Sequence, residues 1–196
     1  MDFDYRAFIF IISLAAVING LGIVRLLGAF AEYLRKQQQV EISKYWVFEL
    51  CALFQFLLHI LLWWTLWIVR DIEHFNLLQY LYLLSGPIIL YLATSLLVPD
   101  VDDGGIDLRM HYYRMRQLFF TVMSLFWLWA IFSWPVIKGM VAPTLPILGT
   151  YLGISLVLRF TDKPGVHAVL VVAGWLVLIV FVALFGMQLG GVETVR

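Results

Sequence analysis

Apolar side chains run along this chain in six long stretches, residues 7–30, 46–69, 77–98, 118–137, 141–158 and 165–187, with short polar gaps between them. A hydrocarbon layer about 30 Å thick is crossed by about 20 helical residues. Backbone amides inside it find no water, so a crossing segment must bond its own N–H and C=O groups. The pattern predicts an all-α, polytopic transmembrane bundle of six helices, one transmembrane domain over residues 1–196. The fifth stretch is the weakest, shortened by Pro143 and Pro146 and softened by Gly149 and Gly153.

A water-soluble bundle of six helices would need a polar outer face on most of them. Between Phe119 and Trp134 the polar side chains other than tryptophan are Thr121, Ser124 and Ser133, which leaves nothing to face water. Composition agrees: 63% of the 196 residues are hydrophobic and 13% are charged. Soluble domains carry about a quarter charged residues. The charges that exist fall almost entirely in the gaps.

The gaps are too short for a soluble domain. The stretch 31–45, AEYLRKQQQVEISKY, lacks Pro and Gly and can prolong the first helix beyond the bilayer. The stretch after Pro99 is an acidic, glycine-containing turn with Asp100, Asp102, Asp103 and Asp107. It leads into a basic aromatic segment whose Arg109, Tyr112, Tyr113, Arg114 and Arg116 suit contact with lipid headgroups. The acidic turn has the aspartate spacing of a calcium loop but no glutamate at the twelfth position, so it reads as a solvated turn.

Positive charge sets an orientation. The segments after helices one, three and five hold Arg35, Lys36, Lys44, Arg109, Arg114, Arg116, Arg159 and Lys163, against Arg6, Arg70, Lys138 and Arg196 on the other side. The positive-inside rule makes the richer side cytoplasmic and puts both termini outside the cytoplasm. Trp63, Trp64, Trp67 and Trp134 then fall toward the outer interface, where tryptophan is enriched. The acidic start, Met1-Asp2-Phe3-Asp4-Tyr5-Arg6, reads as the lead into a retained helix rather than a removed signal peptide.

Composition and motifs exclude several functions. A formal net charge of zero and the lack of a basic patch argue against nucleic acid as a partner. Cys51 is the single cysteine, so no disulfide forms within the chain. Two axial haem histidines need comparable depth, and His74, His111 and His167 all sit nearer helix ends than His59. No metal site and no cofactor are expected. Metalloprotease, nucleophile-elbow and phosphate-loop motifs are absent from the sequence.

What remains is a set of polar residues that are expensive where they stand. Asn19 lies near the middle of the first helix, beside Gly20 and Gly22. Cys51, Gln55 and His59 recur every four residues and form one stripe on the second. Arg25 and Glu49, both toward the cytoplasmic side of adjacent helices, suit an interhelical ion pair. Tyr91 shares a face of the third helix with Tyr80, Pro87 and Ser95, and Pro87 frees the carbonyl near Leu83. As a buried polar network, Asn19, Arg25, Glu49, Gln55, His59 and Tyr91 fit a small sensory, scaffold or accessory subunit working through helix contacts with a partner membrane protein or a second copy. The same residues, Asn19, Gln55 and His59 above all, fit an ion channel or small transporter. An interfacial lipid-modifying enzyme would instead use His111 with the nearby arginines and Asp102, Asp103 or Asp107.

Overall fold

The computed structural model describes residues 5–72, 76–99 and 105–186. It contains six α-helices: α1 (Tyr5–Lys36), α2 (Trp46–Thr65), α3 (Leu77–Leu97), α4 (Leu108–Lys138), α5 (Leu145–Phe160) and α6 (Pro164–Phe181). The expected all-α bundle is what the chain forms, and five of the helices are long and apolar enough to cross a bilayer. The weak fifth stretch gives 16 residues of helix, about 24 Å at 1.5 Å per residue.

Helix ends depart from the hydropathy pattern for local reasons. Because residues 31–36 hold no breaker, α1 runs on to Lys36, where Glu32 and Lys36 pair one turn apart at 3.3 Å. Ten residues before the expected start, α4 is already helical, capped by the Asp107 carboxylate, which accepts from the Met110 amide at 2.9 Å. Arg109 to Arg116 are thus a turn-on-turn continuation of a 31-residue helix, not a separate segment lying on the membrane. Thr65 ends α2, and a 3-10 turn, Leu66–Asp71, follows it. An asparagine opens α3: Asn76 and Gln79 bond each other's backbone in a reciprocal capping box. Asp100, Asp102, Asp103 and His74 lie outside the described residues.

Two very short strands, β1 (Ile42–Ser43) and β2 (Ile106–Asp107), pair in parallel and bring the α1–α2 and α3–α4 connections to one end of the bundle. Gly105 makes this pairing possible. Its φ is +88°, and a Cβ there would run into the Glu41 carbonyl, to which the Ile106 amide donates at 3.0 Å.

The helices close into a ring: α1 lies against α2 and α3, α3 against α4, α4 against α5, α5 against α6, and α6 against α2. Helix α2 also reaches inward to both α3 and α4. Val47, Phe48, Cys51, Gln55, Leu58, His59 and Leu62 of α2 are buried, a stripe with helical spacing that meets neighbours on several sides. The main core gathers around it from Leu90 and Leu97 of α3, Phe119, Phe120, Met123, Phe126 and Trp127 of α4, and Tyr151 and Leu158 of α5.

Where α3 meets α4 the fit is tight. The Trp129 indole donates to the Tyr82 carbonyl at 2.8 Å, the Tyr82 hydroxyl donates to the Trp129 carbonyl, and the two rings stack. Gly86 lies beneath that indole, and a Cβ there would overlap it. Gly153, by contrast, faces open space on the outside of α5. We expect Gly86→Ala to cost about 1–3 kcal/mol through overpacking, and Gly153→Ala to stabilise by about 0.5–1 kcal/mol through helix propensity. Unfolding midpoints of the detergent-solubilised protein check both: they should fall for the first and hold or rise for the second.

Candidate functional site

Four polar side chains meet in the middle of the bundle, where α1, α2 and α3 converge. Asn19, Gln55, His59 and Thr94 are each no more than 2% exposed. Hydrogen-bond chemistry fixes how each is oriented. The Asn19 carboxamide faces the His59 backbone carbonyl at 2.9 Å. A carbonyl only accepts, so the amide nitrogen is on that side and Oδ1 is left facing His59 Nδ1 at 2.7 Å. That ring nitrogen must therefore carry the proton and donate it to Asn19. One asparagine thus holds residue 59 twice, by backbone and by ring.

The same logic fixes Gln55. Its Nε2 lies 3.2 Å from the Leu90 carbonyl and 3.1 Å from Thr94 Oγ1, so both amide hydrogens go to α3. Thr94 Oγ1 also lies 2.8 Å from His59 Nε2 and 3.0 Å from the Leu90 carbonyl. The threonine hydroxyl has one proton and two acceptors within reach. With a neutral ring, Thr94 donates to His59 Nε2. With a second proton on the ring, Nε2 donates to Thr94 and the hydroxyl turns to Leu90. Either way the four side chains stay bonded without any heavy atom moving, and Gln55 Oε1 alone is left without a donor.

Gly22 completes the seat, since a Cβ at that position would overlap the His59 imidazole. The residues expected from sequence as a stripe on α2, Cys51, Gln55 and His59, are all buried. Asn19 does reach across from α1. Thr94, which closes the network from α3, was not among the residues singled out from sequence. A threonine in an apolar helix ordinarily bonds its own chain four residues back, as Thr94 also does here, so nothing in its position marks it.

The remaining expected members lie elsewhere. Glu49 is exposed and makes no ion pair among the described residues; Arg25 is half-buried. The expected Arg25–Glu49 bridge is not formed, for a geometric reason. At 100° per residue, Glu49 lies about 80° round α2 from His59, and Arg25 about 120° round α1 from Asn19. Neither faces the seam along which the two helices touch. Tyr91 is half-buried, and its carbonyl accepts from the Ser95 hydroxyl at 3.1 Å, outside the network.

A second polar group sits at the end that carries the β pairing. His167 Nε2 faces the Thr161 carbonyl at 2.9 Å and so donates to it, which leaves Nδ1 to accept the Tyr112 hydroxyl at 2.8 Å. His167 is completely buried and Tyr112 is 2% exposed. Tyr112 therefore turns into the core, where Cys51 lies against its hydroxyl, rather than outward to headgroups. Tyr113 is half-buried and shares a 3.1 Å hydroxyl contact with Tyr45. Burial first, then that hydroxyl bond, pushes the Tyr45 phenol well above its ordinary range. Arg109 and Arg114 are exposed and Arg116 is half-buried. His111 is buried with Nε2 donating to the Leu97 carbonyl at 3.0 Å, so it is not presented at the surface beside those arginines.

Truncating a member of a sealed network strands its partners, which costs about 1–3 kcal/mol for a buried group. That outweighs the roughly 0.6 kcal/mol typical of a single hydrogen bond between membrane helices. Thr94→Val, which keeps the shape and removes the hydroxyl, should lower the unfolding midpoint in detergent, whereas Thr94→Ser should stay near wild type. Equal midpoints for the valine and serine variants would mean that the hydroxyl holds nothing together. Comparison of the chain with family models, with curated proteins and with solved structures finds no match, so function is read from the geometry itself.

Proposed function

We propose that this protein is a multi-pass membrane accessory or scaffold subunit that acts through helix–helix contacts, with a partner membrane protein or with a second copy. The observation that carries this reading is the closure of the central network. Asn19, Gln55, His59 and Thr94 are buried and spend their bonds almost wholly on one another and on the helix backbone. Polar groups used that way fasten helices; those of a conducting path must stay available to what passes.

The outer faces are broadly apolar. Phe10, Leu14, Val17, Leu21 and Val24 are all exposed along α1, at alternating steps of four and three residues. The cationic end, with the β pairing, is assigned to the cytoplasm by its arginines and lysines, and both termini to the other side. Arg109 and Arg114 there supply headgroup contacts.

A narrow proton path is the second reading, favoured by the single Thr94 proton with its two acceptors. Two measurements on the reconstituted protein separate the readings. Vesicles carrying it should dissipate a pH gradient no faster than protein-free vesicles. Photo-crosslinkers placed at positions 14, 17, 21 and 24 in native membranes should yield discrete protein adducts, either a dimer of the chain or a conjugate to one other protein. Proton leakage that disappears in His59→Leu, together with lipid adducts alone, would transfer the assignment to the path.

A further inference from the structure

The network leaves one valence unspent, and a cavity lies beside it. Gln55 is completely buried, and both its amide hydrogens are committed to α3. Its Oε1 has no donor. A cavity of about 60 Å³ is lined by Gln55 and Cys51 of α2, by Trp127 of α4, by Tyr151 and Ser155 of α5 and by Trp175 of α6, among other apolar side chains. No residue of α3 lines it, so it lies on the side of Gln55 away from the groups that take the amide hydrogens.

Ser155 presents the complementary deficiency. It is 4% exposed, and its oxygen accepts the Trp127 indole N–H at 3.1 Å. Its own hydroxyl proton has no acceptor among the described residues. The cavity wall thus holds one idle acceptor on α2 and one idle donor on α5. Two other polar side chains around it are already bonded: Tyr151 donates to the Gly174 carbonyl at 2.9 Å, and Trp175 to the Leu50 carbonyl at 3.3 Å.

A group that gives one hydrogen bond and takes one is a hydroxyl. We propose that this cavity binds the hydroxyl end of a membrane-dissolved alcohol: its oxygen accepts from Ser155, its proton goes to Gln55 Oε1, and its hydrocarbon leaves through the open side toward lipid. Water offers the same chemistry but matches the site less well. Buried waters typically make about three hydrogen bonds, and apolar cavities stay dry. Here two partners stand in an almost wholly apolar, aromatic wall. At about 10–15 Å³ per water-sized group, the space takes a hydroxyl and the first few carbons of a chain. The rest of the molecule then lies outside the protein.

The test uses the full chain in phosphatidylcholine vesicles with three probes of equal chain length: a long-chain alcohol with a diazirine next to its hydroxyl, its methyl ether, and the parent hydrocarbon. The ether can accept from Ser155 but cannot donate to Gln55. Mass-spectrometric mapping should place the alcohol's adducts on the cavity-lining segments of α2, α4, α5 or α6. Labelling by the ether should be about tenfold weaker, the effect of stranding one buried partner, and labelling by the hydrocarbon, which strands both, weaker still. In Gln55→Met and in Ser155→Ala, alcohol labelling should fall toward the ether's level. Equal labelling by all three probes would show a cavity that reads only apolarity. Absence of alcohol adducts in the wild-type protein would leave the two idle groups to water. Unchanged labelling in both variants would place the alcohol elsewhere. Each of these results overturns the proposal. If the glutamine variant does not fold, the three-probe comparison on the wild-type protein decides.

Discussion

Hydrocarbon has no hydrogen bonds to give, and this structure is organised around that fact. An imidazole, two carboxamides and a hydroxyl sit at its centre, each costing several kcal/mol if left alone in an apolar medium. They are tolerable there because they answer one another: Asn19 supplies the acceptor that His59 Nδ1 needs, Thr94 serves Nε2, and Gln55 uses both hydrogens on α3. The partners come from three different helices. Satisfying the polar groups and bringing α1, α2 and α3 together are therefore one event, and the apolar packing around them inherits its register from it.

That dependence explains why α2 is the hub. Its sequence is apolar nearly all round, so packing alone leaves its rotation about its own axis weakly specified. Gln55 and His59 specify it, since a turn of the helix by one residue would carry both away from their partners. Gly22 adds a steric condition, because the ring fits only against a residue without a side chain. At the other end of the stripe, Cys51 meets the Tyr112 hydroxyl, which bonds His167 on α6. One face of one helix thus fastens the first half of the chain to the second.

The helices themselves were legible in the sequence, because the need to bond every amide in hydrocarbon leaves a long, countable signature. Asn19, Gln55 and His59 were legible too, as polar residues at helical spacing in the middle of apolar runs. Pairing was less legible. Arg25 and Glu49 share a depth, and depth is what hydropathy reports, but pairing also needs a shared azimuth, which depends on how each helix is rotated. Tyr112 was misplaced for a related reason. Near a helix end a tyrosine or histidine is equally at home in headgroups or in the core, and the choice rests on α4 beginning ten residues early behind its Asp107 cap. Thr94 gave no sign at all, since its bond to Leu90 hides the second use of its hydroxyl.

The way the central network is distributed along the chain bears on how the protein is made. His59 and Asn19 are 40 residues apart and are both available once the first helical hairpin exists, but Thr94 lies 35 residues further on. At 5–20 residues per second, synthesis reaches it about 2–7 s later. For that interval the nascent hairpin carries an imidazole satisfied on one side only, together with a glutamine whose amide has no taker. Until α3 is made, the first hairpin lacks the partners that Gln55 and His59 Nε2 use in the finished fold.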